Sequence, residues 1–153
     1  MTPPFPPIRR VPLREGRVLK PEDAAKAIEL VKQALRFFRA GEPIVHPDHV
    51  DVPVLYLNFA IDRVHYDPRT GFPSPKGAPP HGEPIAEGAR ERIDEILKES
   101  MVLDGAEFRE PEDCWVVPVA WRGFIILHVR VSVEGKELIP DYPLTEEVRR
   151  YVS

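Results

Sequence analysis

The apolar positions first recur with a helical period. From Pro21 onward Ala24, Ala27, Ile28, Val31, Leu35 and Phe38 follow one another at helical spacing, with Glu29, Lys32, Arg36 and Arg39 between them. That spacing predicts a helix with one stripe on a core and its charges in water. Pro21 suits the first helical position, Glu22 and Asp23 complement the positive end of the dipole, and Gly41 supplies the stop. The period then shortens to that of a strand. Across Val54 to Tyr66, Leu55, Leu57, Phe59 and Ile61 alternate with Tyr56, Asn58, Ala60 and Asp62, and the segment Asp67-Pro68-Arg69-Thr70-Gly71 predicts a turn after them.

A second amphipathic helix is predicted over Pro84 to Ser100, with Ala89, Ile93, Ile96 and Leu97 inward. Strands follow near Gly105 to Arg109, from Cys114 to Trp121 and from Phe124 to Val133. Tight turns at Arg122-Gly123 and Glu134-Gly135 join them, and the chain returns through Lys136 to Ile139. Ile125, Leu127, Val129, Val131 and Val133 share one face of the third strand, leaving Phe124, Ile126 and His128 on the other. Pro118 assigns its own strand to a sheet edge or a bulge. Thr145, with Glu146 and Glu147 behind it and Arg149 and Arg150 further on, predicts a capped C-terminal helix.

The fold class expected is α+β: two amphipathic helices packed on a mostly antiparallel sheet of about four to six strands, closed by a short helix. The segments AIDRVHYDPRTGFPSP and HVRVSVEGKELIPDYP each run a strand into a Gly-centred turn followed by prolines. Shared hairpin grammar and internal duplication account for this echo equally well.

Composition adds one anomaly, 19 prolines among 153 residues, against a usual share of about 5%. Five stand in residues 1 to 20 and five in residues 72 to 84. Because proline removes an amide donor and holds its predecessor extended, residues 1 to 20 are expected to form an extended basic arm. Residues 21 to 153 then make a single domain, interrupted by a long surface loop over 68 to 84. Gln33, Asn58 and Cys114 are single occurrences of thermolabile residue types, and Arg outnumbers Lys. With proline-stiffened loops, this composition matches that of thermophile proteins, and a GC-rich genome would favour the same Arg, Pro, Gly and Ala codons.

Charge and cysteine narrow the function classes. With 21 basic and 25 acidic residues the net charge is -4, which excludes a body that binds nucleic acid by neutralising phosphates. Only the arm, with Arg9, Arg10, Arg14, Arg17 and Lys20 against Glu15, offers that chemistry. One cysteine excludes an intrachain disulfide, a four-cysteine zinc site and a CxxC redox pair. The apolar runs fall short of the roughly 18–20 residues a membrane helix requires. The first residues carry no apolar signal region, so a cytoplasmic protein is expected.

The densest polar cluster is His46, Asp48, His49 and Asp51 in HPDHVD, imidazole and carboxylate donors suited to a divalent ion such as zinc or manganese, and His46, Asp48 and His49 are the ligands expected. HPDH matches part of the HxHxDH signature of metallo-hydrolases but lacks its first histidine. Asp62 and His65, three apart on a strand, point to opposite faces and would chelate together only if a bulge intervened. No serine stands in a GxSxG elbow, and no glycine-rich segment links a strand to a helix as a phosphate loop does.

Partner-binding features are more numerous. Pro4, Pro7 and Arg9 satisfy the PxxPxR spacing of polyproline ligands, Phe5 and Arg10 extend it, and Trp115, Trp121 and Phe124 supply an aromatic group on neighbouring strands. The leading expectation is therefore a non-catalytic interaction or assembly protein without a resident cofactor. It would bind protein partners or itself, as a homo-oligomer, through the arm and a sheet face. A small metal-dependent hydrolase using His46, Asp48 and His49 is the alternative, and nucleic-acid association through the arm is the third reading.

Overall fold

The computed structural model describes residues 19–76 and 85–152. Along the chain run α1 (Pro21–Ala34), β1 (Arg39–Ala40), β2 (Ile44–Val45), β3 (Val50–Tyr56), β4 (Phe59–Asp67) and β5 (Phe72–Pro73). Then come α2 (Ala89–Glu99), β6 (Met101–Val102), β7 (Glu107–Arg109), β8 (Cys114–Trp121), β9 (Phe124–Val131), β10 (Leu138–Ile139) and α3 (Tyr142–Val152). The class is α+β with antiparallel pairing throughout.

The expected single sheet is corrected to two five-stranded sheets, ordered β1-β3-β4-β5 with β2 on β3, and β10-β9-β8-β6 with β7 on β8. The physical reason lies at Leu57. Its φ of 57° turns the chain, so that Tyr56 pairs with Phe59 and the expected long strand folds into a hairpin. Leucine rarely takes this left-handed conformation, so the turn carried no sequence signal.

The two halves repeat one another with a shift of 65 positions, as from Pro53 to Pro118. Pairs such as Val52 with Val64 and Tyr56 with Phe59 map onto Val117 with Val129 and Trp121 with Phe124. The irregularities coincide too. Each long hairpin slips register once, between Val54 and Leu55 in the first and between Val119 and Ala120 in the second. The extra residues, Ile61 and Ile126, are both fully buried.

This bulge corrects the expected faces of β9. The alternation flips at Ile126, so Leu127, Val129 and Val131 stay in the core while Ile125 lines a concavity with Val116 and Pro118 on the opposite face. Pro118 itself sits in a central strand. Its carbonyl accepts from Leu103 N at 3.0 Å, as that of Pro53 accepts from Gly41 N at 2.8 Å. In an antiparallel strand the amide and carbonyl of one residue point the same way. Both missing donors therefore face the interruptions between β1 and β2 and between β6 and β7, where no ladder bond is lost.

Helix packing is crossed. α1 lies against β6 and β8 of the second sheet, α2 mainly against β1, β3 and β5 of the first and also against β8, and β4 meets β9 where the sheets join. One core results, in which Ala27, Leu30 and Val31 of α1 and Ile93 and Ile96 of α2 join Val52 and Tyr56 of the first sheet and Val117 and Val119 of the second. α3 covers the outer side of the first sheet, seating Leu144 on Ile44, Leu55 and Ala60. Its expected cap is also corrected. Asp141 Oδ1 accepts from Leu144 N at 3.0 Å, whereas Thr145 lies one turn in, buried, with Oγ1 accepting from Ala60 N at 3.0 Å. α2 begins at Ala89, after Gly88, later than the expected Pro84, which lies outside the described residues. Among the described residues, no helix is long and apolar enough to cross a membrane.

Candidate metal centre

The site stands on the outer side of the first sheet, next to the ground that α3 covers. β2 ends at Val45, and HPDH links it to β3 through a tight turn closed by His46 N donating to His49 O at 2.9 Å. That closure brings the two rings onto one side, stacked with centroids 4.3 Å apart and planes 15° from parallel. β3 then carries Asp51 beneath them, and its register with β4 sets His65 directly opposite.

Asp51 is the hub. Its side chain is 2% exposed, yet four nitrogen-bearing groups converge on it. His46 Nε2 lies 3.2 Å and His49 Nε2 3.4 Å from Oδ2, Arg63 Nη1 3.3 Å from the same oxygen, and His65 Nδ1 2.7 Å from Oδ1. Burial alone pushes this carboxyl up. The hydrogen bond and charge of His65, the charge of His49 and the Arg63 bond together outweigh it and hold the carboxyl at about 2. Asp51 is thus a carboxylate at any physiological pH.

Of the residues predicted from sequence, His46 and His49 converge and Asp48 does not join them. Asp48 is exposed and meets the far side of His49, Oδ1 standing 2.6 Å from Nδ1; that hydrogen bond holds its carboxyl below the usual range. Asp51 takes the carboxylate position instead. The described structure separates Asp62 from His65 as expected, with Asp62 accepting from His128 N at 2.7 Å and from Lys76 Nζ at 3.0 Å.

The aromatic candidates lie inward. Trp115 is buried and donates Nε1 to Val133 O at 2.8 Å; Trp121 is buried between Phe72 and Phe124, with the Arg122 guanidinium 4.4 Å over its ring. Phe124 is half-buried at the edge of this group. Pro4, Phe5, Pro7, Arg9 and Arg10 lie outside the described residues.

The second half shows what the fold itself requires here. Val116 and Arg130 pair in register where Asp51 and His65 pair in the first half. The turn of residues 110–113 replaces HPDH, and Glu112 reaches across to Arg130 in an ion pair. Glu112, paired with Arg130 and more loosely with Arg109, therefore suffices to close this corner, and three imidazoles about one carboxylate are not a requirement of the fold. His128 takes the place of Arg63. Burial, aided by Arg109, Lys76 and Arg130 and opposed by Asp62, holds its imidazole below the ordinary 6.5. Its unfolded form takes up a proton first, so stability falls as pH drops below about 6.5 and until the folded group titrates. His128→Gln is expected to flatten that limb of a stability curve measured by urea denaturation between pH 7.5 and 5.

No protein-family model, curated protein or solved structure matches the chain.

Proposed function

We propose that this protein binds one divalent transition-metal ion of the zinc class through His46 Nε2, His49 Nε2 and the Asp51 carboxylate. The observation that carries the reading is the convergence of these donor atoms, all within 4.8 Å of one another. A tetrahedral zinc ion with bonds of about 2.1 Å holds its donors roughly 3.4 Å apart. The two imidazole nitrogens stand 3.2 and 3.4 Å from Asp51 Oδ2. His46 Nε2 is moreover buried, and although it stands 3.2 Å from Asp51 Oδ2 it makes no hydrogen bond among the described residues; a lone pair there is one an ion would satisfy. Two imidazoles and a carboxylate form the donor set of known zinc sites and leave a position for water or substrate.

Assembly through the N-terminal arm is a separate proposal resting on the sequence alone. Metal binding is preferred because its residues are brought together by the fold. Isothermal titration of the chelator-stripped full chain with zinc is expected to show one ion per chain. His46→Ala and His49→Ala should each weaken it by more than the roughly 10–100-fold that outer-shell changes cause. Absence of stoichiometric binding in the wild type would end the reading.

A further inference from the structure

Arg63 gives the site a second half. It projects from β4 on the same side as His65, two positions along the strand, and its Nη1 lies 3.3 Å from Asp51 Oδ2, the oxygen that also faces His46 and His49. A guanidinium this close to a divalent ion is an electrostatic conflict. The ion brings two positive charges and Arg63 a third, against the single negative charge of buried Asp51; Asp48 stands on the far side of His49, open to water. Nothing acidic among the described residues bonds the Arg63 guanidinium except Asp51.

We propose that the loaded site takes a small oxyanion, a phosphate or carboxylate group, held between the metal ion and the Arg63 guanidinium. This rests on the metal-binding reading above and names its ligand class. Three properties of the site support it. Arg63 spends one of its five N–H groups on Asp51 and keeps the others, and a planar fork suits carboxylate and phosphate oxygens. The Arg63 side chain is close to 30% exposed, so an anion can approach it from solvent. Three protein donors leave the ion a position that an anion oxygen can fill. The second half has histidine in place of Arg63, so an arginine is no requirement of this strand position.

The test uses the full chain loaded with cobalt(II), whose visible absorption reports its coordination. Failure of cobalt to bind would overturn the metal reading itself, before any anion is added. With cobalt bound, titration with phosphate or acetate at constant ionic strength should change the spectrum saturably. Arg63→Gln should retain the cobalt and require about 10–100-fold more anion, the scale of a lost charged hydrogen bond. Arg63→Lys, which keeps the charge without the fork, should fall between. By linkage, the better anion should tighten cobalt binding by the same factor that cobalt tightens the anion's. A preference for phosphate assigns a phosphoryl group, and one for acetate a carboxylate. A loaded wild type that ignores both anions, or Arg63→Gln and Arg63→Lys both binding as the wild type does, would overturn the proposal.

Discussion

Gly135→Ala is expected to destabilise the protein by about 3 kcal/mol, combining a left-handed backbone that disfavours a side chain with overpacking of a filled interface. Gly135 has φ 72° in the turn between β9 and β10, and a Cβ there would lie 2.7 Å from Asp23 O, 2.7 Å from Lys26 Cβ and 2.9 Å from Ala27 N. Two of these are backbone atoms of α1, which cannot move aside as a flexible side-chain end does. Either the helix retreats from the second sheet, thinning the contact of Ala27, or the turn distorts. Gly123→Ala isolates the two causes. Gly123 has φ 87° with nothing within 4 Å, so its alanine variant meets only the backbone penalty of roughly 1–2 kcal/mol. Chemical denaturation should show both midpoints lowered at unchanged slope, Gly135→Ala by clearly more. Equal losses would mean that the turn does not buttress α1.

This turn also shows where sequence and fold correspond. Glu134-Gly135 was legible because glycine is the residue a left-handed turn position demands, and Cys114 to Trp121 was legible at both ends because a β-branched run stops at Arg122-Gly123. The first hairpin was hidden for the opposite reason: Leu57 takes a turn conformation its side chain does not favour, and its apolar character continued the alternation. Ile61 and Ile126 concealed the bulges likewise, because an apolar residue reads as inward on either side of a register slip. The internal echo was visible in the turns after β4 and β9, but the correspondence by 65 positions depends on pairing that no single strand displays.

The candidate site follows the same division. His46 and His49 stand in one short motif and were found. Asp51 stands in the same cluster, but as the end of an expected loop over 42 to 51 it has no fixed direction; only β3, which runs from Val50 through Pro53, makes it a buried strand residue opposite His65. Proline is tolerated at that place because its missing donor faces the break between β1 and β2, a fact of topology. Asp141 was missed in favour of Thr145 although it precedes Pro143, the arrangement in which an acidic cap followed by proline opens a helix.

The second large effect is on metal-linked stability. An ion that binds only the folded chain stabilises it by about 2.7 kcal/mol at a free concentration 100 times its dissociation constant. For a chain of this length that corresponds to a rise in melting temperature of roughly 5–10 °C. Calorimetry with zinc against chelator should show the rise in the wild type. Asp51→Val is expected to abolish it, since the variant installs the residue type that the second half carries as Val116 and leaves the imidazoles without their carboxylate. In the metal-free protein the same change should cost only about 1–2 kcal/mol, because His65 and Arg63 are partly exposed and regain water when Asp51 is lost. Asp48→Asn should leave metal-free stability unchanged, as Asp48 is exposed, yet weaken zinc through the orientation of His49. A zinc-induced rise of equal size in wild type and Asp51→Val would place the ion elsewhere on the chain. A metal-free loss in Asp51→Val far above 2 kcal/mol would show that the cluster serves folding before it serves a metal.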